Sequence, residues 1–214
     1  MQIATGQALR ILYRLKLIRS CPPHDVGIEF YRKKVSWGLR PDACSCDIEF
    51  VEYLQKIKAE DKNIFHFGTG SHHIVGLENQ KFIHPNEIIA ITASVPEYQS
   101  YTDLFIKQPE LAKYYKVFLG DIYTLTDRFL PQLDIVTLFH LCEFYFPENS
   151  PKLHHNDASL LQLFLDKLNV GGKILFYKKS FAWGDTEALV KKFEQQEKIK
   201  QTEEYKSLLV YSKI

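Results

Sequence analysis

Ile64-Phe65-His66-Phe67-Gly68-Thr69-Gly70-Ser71-His72 is the stretch whose reading decides the fold. Residues 63–67 are a short apolar run, the right length for a buried strand. Gly68-Thr69-Gly70 then turns the chain sharply, and a short helical pattern follows. Strand, glycine turn and helix in this order open a βαβ unit, in which a ligand approaches the carboxyl end of the strand and any Cβ at the turn would obstruct it.

Reading outward, the same alternation continues. Strands are expected at residues 87–92, 116–119, 134–139 and 173–177, with helices between them at 159–168 and after Ser94-Val95-Pro96-Glu97, which reads as a capping box. Gly171-Gly172 reads as the turn into the fifth strand, and residues 186–197 as a helix. Strands separated by helices of this length pair in parallel through right-handed crossovers. Residues 198–203 and 207–212 are too closely joined for that and must form an antiparallel hairpin. The expected fold class is α/β, a doubly wound, mostly parallel seven-stranded sheet with a C-terminal antiparallel hairpin and additional N-terminal helices.

Two parts are expected: an N-terminal helical cap or extension over residues 1–61 and a Rossmann-like domain over 62–214. In the first part Ala4, Ala8, Ile11, Leu12, Leu15 and Ile18 recur at helical spacing, and Cys21-Pro22-Pro23-His24 stops that helix. A second helix is expected over residues 47–59. The whole chain carries a formal net charge of +1, yet its first forty residues hold eight lysines and arginines against Asp25 and Glu29 alone. That basic, amphipathic helix suits docking onto its own domain, a partner or a second copy of the chain, or an anionic surface. No apolar run is long enough to span a bilayer, and Arg10, Arg14 and Lys16 break any secretory pattern, so a cytoplasmic protein is expected. No basic stripe with interleaved aromatics signals nucleic acid.

The four cysteines, Cys21, Cys44, Cys46 and Cys142, include no CxxC pair, so reduced thiols are expected and no metal site is assigned. His72-His73 and His154-His155 are adjacent pairs, which do not readily chelate alone, and the second lies in a loop over 147–157 that reads either as a cover for a pocket or as plain surface.

From about residue 62 onward the chain resembles the class I S-adenosylmethionine-dependent methyltransferase family. Ile64 to His72 looks like its first motif, Gly120-Asp121 like its adenine-contacting position after the third strand, Asp134-Ile135-Val136-Thr137-Leu138-Phe139-His140 like its fourth-strand motif, and Leu168-Asn169-Val170-Gly171-Gly172-Lys173 like its turn into the fifth strand. The resemblance implies S-adenosylmethionine as cofactor, with His66, Gly68, Thr69, Gly70, His72, Thr92, Asp121, Ile122 and His140 at the cofactor site. It also implies methyl transfer to an oxygen or nitrogen of a small molecule or glycan. His140 is the first candidate for a general base, with Glu143 and Tyr145 beside it as further catalytic candidates.

The chain departs from the family pattern in three places. His66 stands where an acid is usual, His72 where a third glycine is usual, and Ile91-Thr92-Ala93-Ser94 offers no carboxylate for the ribose hydroxyls. These departures keep a second reading open, a non-catalytic domain of the same fold that binds a partner. Nicotinamide chemistry is disfavoured, because Gly68-Thr69-Gly70-Ser71-His72-His73 lacks the last glycine of the dinucleotide motif and no acid follows the second strand.

Overall fold

The computed structural model describes residues 36–145 and 153–214. The expected N-terminal amphipathic helix, the Cys21-to-His24 stop and part of the 147–157 loop lie outside the described residues. The second helix is present as α1, Cys46–Lys56. It is followed by β1 (Asn63–Phe67), α2 (Ile74–Asn79), β2 (Glu87–Thr92), α3 (Val95–Lys107), α4 (Leu111–Tyr114) and β3 (Tyr115–Leu119). Then come β4 (Leu133–Thr137), α5 (Asp157–Lys167), β5 (Leu168–Tyr177), α6 (Trp183–Gln195), β6 (Ile199–Tyr205) and β7 (Leu208–Lys213).

The strands form one seven-stranded sheet in the order β3-β2-β1-β4-β5-β7-β6. β1 through β5 pair in parallel, and β7 pairs antiparallel with both β5 and β6. The chain therefore has the doubly wound class I methyltransferase fold, and its strand order reverses between β1 and β4. A crevice is expected at that reversal, outside the carboxyl ends of the strands.

Period-2 alternation along each strand divides the core into two layers. Phe65, Ile91, Val136 and Phe176 pack with Leu160 and Phe164 of α5 and with Val190 and Phe193 of α6. Ile64, Ile88, Ala90, Val117 and Leu175 face the other way, against Phe50 and Leu54 of α1, Val75 of α2 and Tyr101 of α3. α1 thus belongs to the same core as the sheet it covers.

Two local readings change in detail. The Gly171-Gly172 pair sits inside β5 as a bulge, because Leu133 pairs with Leu168 while Ile135, two residues on, pairs with Lys173. Gly171 takes φ +74° there, and Val170 is 86% exposed, so the extra residues loop outward from the ladder. At the start of α3, Ser94 Oγ accepts from the Glu97 N–H as a cap should. The reciprocal half of the box is replaced, since the Ser94 N–H donates to Thr92 Oγ1 and the Glu97 side chain turns elsewhere. Among the described residues no helix is long and apolar enough to cross a membrane.

Candidate functional site

The carboxyl ends of β1, β2 and β4 open onto a cavity of about 250 Å³, at the position where the strand order reverses. Gly68 and Gly70 form its floor with φ of +85° and +53°. Both angles lie in the left-handed region, which side chains with a Cβ adopt at a cost. A Cβ on Gly70 would stand 2.5 Å from His72 Nε2 and 2.9 Å from the Trp37 carbonyl oxygen. Residues around Trp37 lie across this turn, and the Trp37 carbonyl accepts from both the Ser71 N–H at 2.8 Å and Ser71 Oγ at 3.1 Å.

Of the residues singled out in the sequence, Gly68, Gly70, His72, Thr92, Asp121, Ile122, His140 and Glu143 line this cavity. Asp121 also caps the short 3-10 turn at Ile122–Thr124, its Oδ1 accepting from the Tyr123 N–H. His66, Thr69 and Tyr145 do not line it. His66 is 1% exposed because period-2 alternation puts it beside Ile64 on the face that α1 covers. There its ring stacks on Phe50, and Nδ1 bonds Thr137 Oγ1 at 2.8 Å from the paired position on β4. Thr69 is equally buried, and its hydroxyl makes no hydrogen bond among the described residues. Tyr145 packs against Tyr123, with ring centroids 5.8 Å apart, and His155 Nε2 reaches the Leu125 carbonyl; neither faces the cavity.

Two carboxylates that the sequence did not announce converge here. Glu97, in the first turn of α3, lines the cavity at the end of β2, where the strand itself offers no acid. Its Oε2 accepts from Thr92 Oγ1 at 2.6 Å and its Oε1 from the Trp37 N–H at 3.0 Å. Burial raises the Glu97 carboxyl above its ordinary value, against those two hydrogen bonds. Asp47, in the first turn of α1, stands 3.6 Å from both His66 Nε2 and His72 Nε2. Burial raises the Asp47 carboxyl and lowers both imidazoles.

Cys44, Cys46, His140, Glu143 and Tyr177 also line the cavity, and a Cβ on Gly68 would stand 3.8 Å from His140 Cδ2. The Cys44 and Cys46 sulfurs are 3.4 Å apart. A hydrogen bond from Cys46 holds the Cys44 thiol down at about 4 against the effect of burial, with His140 assisting. Burial alone would depress His140, but the Glu143 carboxylate at 3.1 Å and Cys44 outweigh it and raise the imidazole. Glu143 is itself fixed by Ser180 Oγ at 2.8 Å and the Phe181 N–H at 3.2 Å. Exposed Arg40 and Lys179 complete the solvent side.

No protein-family model matches the sequence, and no curated protein matches it either. Solved structures do match in fold. Magnesium protoporphyrin IX methyltransferase (ChlM) from Synechocystis PCC 6803, solved with bound SAM, superposes with a TM-score of 0.55 at 10% identity, over 79% of this chain and 79% of that one. An rRNA-methylase candidate from Clostridium thermocellum gives 0.53 at 13% identity, over 78% and 96%. TrmN from Thermus thermophilus gives 0.52 at 15% identity, over 77% of this chain and 48% of that one, so the chain spans about half of TrmN's length. At these identities the likeness is one of fold.

Proposed function

We propose that this chain is an S-adenosylmethionine-dependent methyltransferase, acting on an oxygen or nitrogen nucleophile of a small molecule or glycan. The observation that carries the reading is the buried Glu97 carboxylate at the end of β2, lining the same cavity as the glycine turn after β1. An ionised carboxylate offers about four lone-pair sites, so with two taken by Thr92 and Trp37 it still has acceptors for ribose hydroxyls. Gly68, whose Cβ position meets nothing nearer than His140 Cδ2 at 3.8 Å, leaves room for the amino-acid portion, while Asp121 and Ile122 border the place for the adenine.

S-adenosylmethionine supplies an already activated methyl group, so the protein's task is to align donor and acceptor and to exclude water. His140 and Glu143, which line the same cavity, would orient the acceptor. Tyr145 packs away from the cavity and has no part in this reading.

A second reading, a binding domain of the same fold without catalysis, is favoured by His72, which lines the cavity where the family's third glycine would leave space. Calorimetric titration with S-adenosylmethionine and S-adenosylhomocysteine separates the two. Micromolar affinity supports the methyltransferase; no heat at millimolar ligand, from a chain with a cooperative melt, overturns it in favour of the binding domain.

A further inference from the structure

Cys44, Cys46 and His140 each present one ligand atom, and these atoms lie within 4.8 Å of one another on the cavity wall. They arrive from two places, the segment that opens α1 and the end of β4. Cys44 closes a turn by donating its N–H to the Arg40 carbonyl at 2.8 Å, Cys46 begins α1, and His140 follows β4. Two thiolates on one tetrahedral zinc at the usual bond length sit about 3.7 Å apart. The observed sulfur separation of 3.4 Å is within a few tenths of an ångström of that spacing.

The donor set is selective. Two sulfurs and an imidazole suit zinc, whereas magnesium and calcium prefer oxygen. The imidazole is also braced in the way that metal-binding histidines are. Its Nδ1 faces Glu143 Oε1 at 3.1 Å, which leaves Nε2 for the ion, and Glu143 is anchored in turn by Ser180 and Phe181. Among the described residues no fourth histidine, cysteine or carboxylate joins the three within the same reach. Three protein ligands beside a cavity match the open pattern of a catalytic zinc rather than the closed four-ligand pattern of a structural one.

We propose that Cys44, Cys46 and His140 hold a zinc ion whose fourth position faces the cavity and takes an oxygen ligand from it. The zinc site stands without the methyltransferase reading; only the assignment of that oxygen to the hydroxyl of a methyl acceptor rests on it.

The test uses the full chain, purified in reductant, dialysed against low-micromolar zinc and then against metal-free buffer, with zinc measured by plasma emission. Wild-type protein should retain about one zinc per chain, and Cys142→Ser should retain as much, since Cys142 lies outside the cluster. The double variant Cys44→Ser/Cys46→Ser should lose it. His140→Gln, which keeps both thiols, should lose it too, so that misfolding of either variant does not blunt the test. Cobalt loading of wild type should give thiolate-to-cobalt charge transfer and tetrahedral visible bands. A wild-type chain without zinc and without that spectrum, yet binding S-adenosylhomocysteine, overturns the zinc site and leaves the methyltransferase reading intact. Zinc retained in the absence of any S-adenosylhomocysteine binding does the reverse. Equal zinc in wild type and in folded double variant also overturns the proposal.

Discussion

Thr92 Oγ1 donates a 2.6 Å hydrogen bond to Glu97 Oε2 across the carboxyl end of β2, which fixes a buried carboxylate at a strand end that lacks one. If this carboxylate receives ribose hydroxyls, replacing it with an amide removes the charge but keeps the shape. Hydrogen bonds to charged groups contribute roughly 1.5–3 kcal/mol, which corresponds to about ten- to a hundredfold in affinity. Glu97→Gln is therefore expected to weaken S-adenosylhomocysteine binding by that factor in calorimetry, with a lowered but still cooperative melt, because the amide can accept from only one of Thr92 and Trp37. Unaltered affinity would remove Glu97 from the cofactor site.

Gly70 is expected to tolerate no side chain. At φ +53° a β-branched residue is strained, and its Cβ would meet both His72 Nε2 and the Trp37 carbonyl. Gly70→Val should abolish S-adenosylhomocysteine binding. Adding His72→Ala relieves the side-chain clash but neither the backbone contact nor the dihedral strain, so the double variant should stay silent. Restored binding in the double variant would show that His72 alone limits the space.

The sheet was legible because a buried strand needs only a short apolar run, and because helices between runs dictate parallel pairing. Asn63–Phe67 and Glu87–Thr92 fall where the pattern puts them. Asp47 and Glu97 were not legible as site residues, because each reaches the cavity from a helix adjoining the motif rather than from the motif itself. Glu97 also carried a competing explanation. As the fourth member of Ser94-Val95-Pro96-Glu97 it belonged to a capping box, and only the structure reveals that Thr92 takes the Ser94 N–H and frees the carboxylate to face inward. His66 was legible as a strand residue, but its fate depended on which sheet face α1 covers, a long-range fact. Cys44-Ser-Cys46 lacked a second pair in sequence, and its third neighbour, His140, comes from beyond β4.

Gly76 sits within α2, where helix propensity alone favours alanine by about 1 kcal/mol. Packing reverses the sign. A Cβ at this position would lie 2.3 Å from Tyr115 Cδ1, and that ring is fully buried, bonded through its hydroxyl to His73 Nδ1 at 3.1 Å and packed edge-on to Tyr101. Overpacking of a fixed core costs typically 1–3 kcal/mol. Gly76→Ala should thus lower stability in urea titration by about 1–2 kcal/mol, and a gain would mean that the Tyr115 ring moves freely.

His73 makes stability depend on pH. Its Nε2–H donates to the Glu97 carbonyl at 3.1 Å, so Nδ1 accepts from the Tyr115 hydroxyl, and the ring is held neutral. Burial lowers its pKa to about 4, opposed by the Glu97 hydrogen bond and reinforced by His72. The unfolded chain, with an ordinary histidine near 6.5, takes up the proton first as pH falls. The stabilisation from the neutral ring is therefore complete above about pH 6.5, is lost progressively down to about 4, and stays constant below that. The difference of some two and a half pH units corresponds to about 3 kcal/mol. Glu97, whose backbone carbonyl bonds the ring and whose carboxyl is raised by burial, works in the opposite sense as it protonates, and Tyr115 stays neutral throughout. His73→Asn isolates the histidine, because asparagine accepts the left-handed backbone at φ +46° and does not titrate. Urea midpoints measured near neutral pH, at about pH 5.5 and at about pH 4.5 should converge between wild type and variant as pH falls. Parallel curves would mean that the ring is protonated or solvated in the folded chain.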